Sequence, residues 1–373
     1  MNARRIALIA LKYLSAVAAL WLVLLFAGAV GEDIYLLAKR RFFPKISERV
    51  WLPNYADKDK ARRMFQDYRK MEETYVPYVA WMRLPLASEN VNIGPDGRRV
   101  HTRGPENNHS RTATIGFFGG STMLGKGADD NGTIPAIFDQ ISSDYGVTNY
   151  GQGGYNTRQM LALLINRINT RQMPEIVVFY DGYNHVWTHC NYGVTRLLNS
   201  HMAEQKLTRA LAEKGPWAYS YEEIVMPVVQ RARRLIGLKR FVHDEPACQA
   251  DPVRAEQVAE NLVRNWEMAA LLVEAFGGRF YAFLQPVSYL GSPRFDHLEV
   301  KHSINAEQFP VVYPIIQTKL AERRAAWFTD LSDGFDGDEY LYIDDVHVSR
   351  NGNEIIARRM LGRIEVGGVD EAT

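Results

Sequence analysis

Two short runs constrain this chain more than any other feature. Thr112 to Phe118 and Glu175 to Tyr180 carry the stretches Ile115-Gly116-Phe117-Phe118 and Ile176-Val177-Val178-Phe179-Tyr180. A strand with one face in water alternates polar and apolar side chains. A strand that is apolar at successive positions is buried on both faces. Helical spacing fills the intervals: Ile134 to Tyr145, then Thr157 to Thr170 through Met160, Leu161, Leu164 and Ile168. Val147 to Tyr150 and Arg279 to Leu284 read as further strands, Val311 to Arg324 and Asn351 to Ile364 as further helices. Strands alternating with helices predict an α/β fold, a parallel sheet flanked by helices. In such folds, sites form beyond the carboxyl ends of the strands. Ser121, Gly154 and Asn184 each fall just after a predicted strand.

The N-terminus follows different rules. Tyr13 to Gly31 carries no charge and is long enough to cross a bilayer as a helix, with Arg4, Arg5 and Lys12 before it. Residues 1–31 therefore read as a cytoplasmic N-terminus and single-pass membrane anchor, with the rest periplasmic or extracellular. Ala27-Gly28-Ala29 offers a signal-peptide cleavage site instead, but the apolar run exceeds a usual signal core. Residues 32–111 read as a linker and N-terminal packing segment. It has an exposed, charged helix over Asp57 to Glu73, an aromatic stretch around Tyr75, Tyr78 and Trp81, and a Pro95-Asp96-Gly97 turn. Residues 112–373 form the main domain, with an amphipathic helical insertion at about 186–275. The net charge of +1, with no basic block, gives no reason to expect nucleic acid. The two cysteines, Cys190 and Cys248, can pair in an oxidising compartment or stand as unrelated thiols.

Four segments carry the chemistry. They are Gly119-Gly120-Ser121-Thr122, Asn149 to Thr157 around Gly151-Gln152-Gly153-Gly154, Asp181-Gly182-Tyr183-Asn184, and Asp344-Asp345-Val346-His347. A serine hydroxyl is a weak nucleophile that needs an imidazole to take its proton and a carboxylate to orient that imidazole. In this order the four segments resemble the blocks of the SGNH (GDSL-type) hydrolase superfamily, over roughly residues 112–365. The resemblance implies a flavodoxin-like three-layer fold. It implies Ser121 as nucleophile, His347 as base, Asp344 as its orienting acid, and Ser121, Gly154 and Asn184 as the oxyanion hole. No metal or organic cofactor is implied.

The chain departs from that pattern twice. Gly120 replaces the usual acidic residue before the serine, and His185 replaces the frequent aspartate after the asparagine. Asp345 competes with Asp344 for the acid's role, though spacing to His347 favours Asp344. Two other patterns point elsewhere. Gly120 to Lys126 reads like a phosphate-binding loop, but Gly127 stands where a Ser or Thr must reach magnesium. His185, His189 and Cys190 offer metal-ligand spacing that no further ligand completes, which leaves two histidines at an active-site rim. Trp187, Trp217, Tyr219, Tyr221 and Trp266 are candidates for a sugar platform, or for the packing of the insertion's own core.

These readings converge on a membrane-anchored serine esterase that removes small acyl groups from envelope glycans or lipids. An O-acyltransferase built on the same triad and a non-catalytic carbohydrate-binding component are the alternatives.

Overall fold

The computed structural model describes residues 12–16, 19–20, 52–102, 113–142, 144–194, 248–298 and 306–369. The chain divides into two compact units. One comprises Met1–Ile46 and Thr208–Asp244, of which only Lys12–Ala16 and Ala19–Leu20 are described, both helical and exposed. Most of the expected anchor therefore lies outside the described residues. Among the described residues no helix is long and apolar enough to cross a membrane.

The other unit, Ser47–Leu207 with Glu245–Thr373, holds the sheet. It opens with helix α1 (Lys58–Arg69) and a small antiparallel hairpin of β1 (Glu73–Val76) and β2 (Ala80–Arg83). Asp57 caps α1 by accepting from the Lys60 N–H. The helix is not solvated all round as its charge suggests. Ala61, Met64 and Phe65 recur at helical spacing and are buried with Val91 and Ile343. Glu73, expected at the helix end, opens β1 instead.

The main sheet has five parallel strands in the order β4-β3-β5-β6-β7. These are β3 (Ala113–Gly119), β4 (Tyr145–Asn149), β5 (Ile176–Asp181), β6 (Arg279–Leu284) and β7 (Phe328–Asp330). Each successive residue of β5 serves a different layer, which is why the run has no polar member. Val177 and Phe179 enter the core against one set of helices, Ile176, Val178 and Tyr180 the core on the other face. The first core is covered by α4 (Thr157–Asn169), α6 (Pro252–Ala275) and α7 (Phe309–Glu322). The second is covered by α3 (Ile134–Ile141) and α8 (Arg350–Val369) through Ile137, Phe138, Ile356 and Met360. The chain leaves β3, second in the sheet, first toward the edge strand β4 and then returns past β3 to the central β5. Connections diverge there, so the switch point of the sheet lies at the carboxyl ends of β3 and β5.

Some boundaries differ from the sequence reading. Helix α3 stops at Ile141, because Ser142 and Asp144 favour turns over helix interiors, and β4 starts earlier, at Tyr145. Of the expected insertion at 186–275, residues 195–247 lie outside the described residues. Its last helix, α6, is a layer of the domain, with Val258, Leu262, Trp266 and Val273 in the core. Trp266 packs near Phe328, and Trp187 meets Tyr192 edge to face. Trp217, Tyr219 and Tyr221 fall outside the described residues. Cys190 and Cys248 form a disulfide with Cα atoms 5.2 Å apart, so the pairing that the sequence left open is made.

Candidate active site

The chain leaves β3 through Gly119 and Gly120 and starts a single helical turn, α2 (Ser121–Leu124). Ser121 is its first residue, so its N–H has no acceptor within the helix. The turn ends at Gly125 in the left-handed region, φ +88°, where a side chain would collide with Thr133. Arg99, which precedes the sheet in sequence, then secures it. Its guanidinium is almost wholly buried and donates to the carbonyls of Leu124 (2.9 Å), Gly125 (2.8 Å) and Ala128 (2.8 Å), while pairing with Asp130 at 3.0 Å.

The triad is assembled across 226 residues of sequence. Ser121 Oγ lies 2.7 Å from His347 Nε2. His347 Nδ1 lies 2.7 and 2.9 Å from the two oxygens of Asp344. The carboxylate also accepts from the backbone N–H groups of His347 (2.8 Å) and Val346 (3.2 Å), which fixes its orientation in the tight loop. With Nδ1–H directed at Asp344, Nε2 is left as the acceptor facing the serine. Asp344, not Asp345, is the carboxylate in contact with His347. Asp345 points elsewhere: Tyr183 and Tyr289 hydroxyls both donate to its Oδ2, and Ser288 donates to its backbone carbonyl at 2.9 Å. Burial, with Asp345 beside them, raises the pKa of both tyrosines, so they stay as donors.

Asn184 and Gly154 are brought to the same end of the sheet. Asn184 is the second residue of α5 (Tyr183–Tyr192), which follows β5 through Gly182 at φ +150°. Its Nδ2 donates to the Tyr155 carbonyl at 2.9 Å, which leaves a second amide hydrogen for another acceptor. The amide lies directly over Gly120, so a Cβ there would overlap Nδ2. This accounts for the glycine where the related pattern carries an acid. Gly154 sits at φ +78° in the loop after β4.

That loop is clamped in ways the motif does not show. Gln152 accepts from the Arg83 N–H (3.1 Å) and donates to the Gly97 carbonyl (2.7 Å), and Trp81 Nε1 donates to the Gly153 carbonyl (2.9 Å). These contacts all reach back to residues 81–97, before the sheet. No local signal marks Gln152 or Arg99, because their partners are distant in sequence.

The two histidines of the metal-like pattern are not at a rim. His185 and His189 are fully buried, and burial lowers both pKa values. His185 Nδ1 is 2.9 Å from the Thr157 hydroxyl and Nε2 is 3.1 Å from the Val258 carbonyl. Thr157 also bonds Asp181, whose carboxyl is pushed up to about 6 by burial. This buried chain joins α4, β5 and α6 immediately before Asn184. Lys126 is a further residue at the site, 3.4 Å from Asp344 Oδ2. The sequence shows it only as the last member of the phosphate-loop pattern.

No family model matches the chain, and no curated protein matches it. Solved structures do. An alpha/beta hydrolase enzyme from the metagenome of Lake Arreo, Spain, is 15% identical with a TM-score of 0.37, over 69% of this chain and 96% of that one. A carbohydrate acetylesterase family member from Sinorhizobium meliloti is 16% identical with a TM-score of 0.36, over 69% of this chain and 100% of that one. The acetyl xylan esterase AlAXEase is 14% identical with a TM-score of 0.38, over 67% of this chain and 98% of that one.

Proposed function

We propose that this protein is a serine esterase that cleaves small O-acyl esters of envelope glycans or lipids through an acyl-enzyme. The observation that carries the reading is the continuous contact from Ser121 Oγ to His347 Nε2 (2.7 Å) and from His347 Nδ1 to Asp344 (2.7 Å). As Ser121 Oγ attacks an ester carbonyl, its proton passes to His347 Nε2. The carbonyl oxygen takes up the negative charge, facing the Ser121 N–H, the Gly154 N–H and the Asn184 amide. Donors set in advance at such an oxygen are worth about 3 kcal/mol each in the transition state. His347 then returns the proton to the departing alkoxide oxygen as the C–O bond breaks. Water, deprotonated by the same imidazole, adds to the acyl-enzyme and releases the acid and Ser121. Asp344 stays ionised throughout and stabilises the imidazolium.

The outward-facing, membrane-anchored location belongs to the same proposal. It is supported by the uncharged stretch Tyr13–Gly31 and by the exposure of Tyr13, Leu14 and Leu20 on the described helical pieces. An enzyme so placed meets acylated envelope material as its nearest ester source.

Fluorophosphonate labelling of the detergent-solubilised chain tests the chemistry. Wild type is expected to label covalently, and Ser121→Ala and His347→Ala are expected not to. A folded wild type that resists labelling would falsify the esterase reading. Release of acetate from acetylated glycans, compared with longer acyl esters, then tests the substrate class. Recovery of the chain in the soluble fraction after lysis would remove the anchor.

A further inference from the structure

Lys126 closes the Gly-Ser-Thr-Met-Leu-Gly-Lys run, of which the triad chemistry uses Ser121 and leaves the lysine unassigned. The fold nevertheless carries it to the triad by a turn that admits few alternatives. Gly125 and Gly127, on either side of it, lie in the left-handed region at φ +88° and +98°. The Lys126 N–H donates to the Ser121 carbonyl at 3.0 Å. Tyr55 donates to the Gly127 carbonyl at 2.8 Å, and a Cβ on Gly127 would collide with Ile343. The turn is thus wedged between the serine helix and the loop of Asp344 and His347. Its ammonium lies 3.4 Å from Asp344 Oδ2 and 3.4 Å from His347 Nδ1, with about a quarter of the side chain exposed.

A cation at that distance acts on both members of the pair. It favours the ionised carboxylate and opposes a second proton on the imidazole. Other groups also face the pair. Asp345 is adjacent in sequence, with the Tyr183 and Tyr289 hydroxyls donating to it. Tyr68 of α1 lies within electrostatic reach of Asp344, Arg83, Arg99 and Glu73, and burial raises its pKa. Tyrosines held neutral in this way add no charge, and the carboxylate that Lys126 meets is Asp344.

We infer that Lys126 is a positioning residue that tunes the triad. It keeps Asp344 ionised and holds His347 ready as a base at a lower pH than the Asp344–Asp345 pair alone would allow. The inference rests on the esterase reading and adds a determinant of its working pH. A positive charge at this range in a half-buried site shifts a titration by about one pH unit.

The test is the rate of fluorophosphonate labelling of the full-length protein against pH. The midpoint of its rising limb reports His347 without requiring the natural substrate. Lys126→Met is expected to move that midpoint up by about one unit, so labelling below it slows by up to about tenfold and the deficit shrinks as pH rises. Lys126→Arg, which keeps the charge, is expected to retain the wild-type midpoint. A Lys126→Met midpoint equal to wild type, or a loss of labelling uniform across pH, overturns the inference while leaving the esterase intact. A wild type that never labels overturns the esterase reading, and the inference with it.

Discussion

Gly120 shows how one missing side chain shapes the site. Its own Cα carries no group, so the Asn184 amide can lie directly over it beside the nucleophile. Gly120→Ala must displace that amide. The fold should tolerate the methyl, while the oxyanion donor is lost. Esterase turnover is expected to fall about a hundredfold, with kcat affected more than KM and little change in unfolding midpoint. Equal activity in the alanine variant would show that Asn184 is not the donor. Asp181 permits a prediction of a different kind. Its pKa is raised to about 6 by burial, above its ordinary 3.8. Ionising it is therefore easier in the unfolded chain, and stability is lost as pH rises from about 4 to about 6. Asp181→Asn removes that loss. The variant should gain on wild type over this window, by at most about 3 kcal/mol, and hold the gain at higher pH. Urea unfolding at pH 4.5 and 7 checks it, and a difference that is the same at both values would contradict the account. Neither residue announces its role in the sequence. Gly120 reads only as a departure from a pattern, and Asp181 only as the first residue of the segment that leads to Asn184. What each one does is set by a partner far along the chain.

At the level of elements, α2 has a single turn and cannot stabilise itself, since a helix this short is unfavourable in isolation. It is held by Arg99, whose buried guanidinium satisfies the carbonyls at its end. Arg99→Met would strand those carbonyls and leave Asp130 without its ion pair. A loss of about 3 kcal/mol of stability is expected, with slower serine labelling at temperatures where the protein remains folded. Urea unfolding of the variant measures the first and labelling rate the second. The elements that could be read in advance were those with a strong local pattern. β5 is apolar from Ile176 to Phe179 because both its faces are covered, and α4 keeps its spacing because one face meets the sheet. Phe328–Asp330 could not be read: it is three residues long and half exposed, and becomes a strand only because β6 offers an open edge. Helix α6 was legible as a helix but not as a layer. An amphipathic pattern says that one face is buried and does not say against what. The same distinction separates the triad from its surroundings. Ser121, Asp344 and His347 stand in short contiguous motifs, whereas Gln152, Arg99 and Lys126 matter through contacts across the fold.

The largest scale concerns where the working unit begins. Motif spacing alone starts the hydrolase domain near residue 112, because the first strand and the serine follow directly. The compact unit starts at Ser47. The preceding residues are tied into the site at several points. Asn54 donates to the Tyr342 carbonyl at 3.2 Å, two residues before Asp344, and Tyr55 secures the turn of Lys126. Trp81 and Arg83 hold the Gly153–Gly154 loop, and Arg99 holds the serine helix. Trp81 is also wholly buried and meets Tyr155 edge to face at 5.8 Å, next to Gly154. Removing residues 1–111 would therefore uncover Tyr155 and release both the Gly153–Gly154 loop and the serine helix. A chain shortened to begin at residue 47 is expected to unfold cooperatively and to label with fluorophosphonate. One shortened to begin at residue 112 is expected to lose cooperative unfolding and label at least a hundredfold more slowly, if it stays in solution at all. Labelling of the shorter chain at the longer one's rate would mean that the clamp is dispensable and that the sheet with its own loops builds the site unaided.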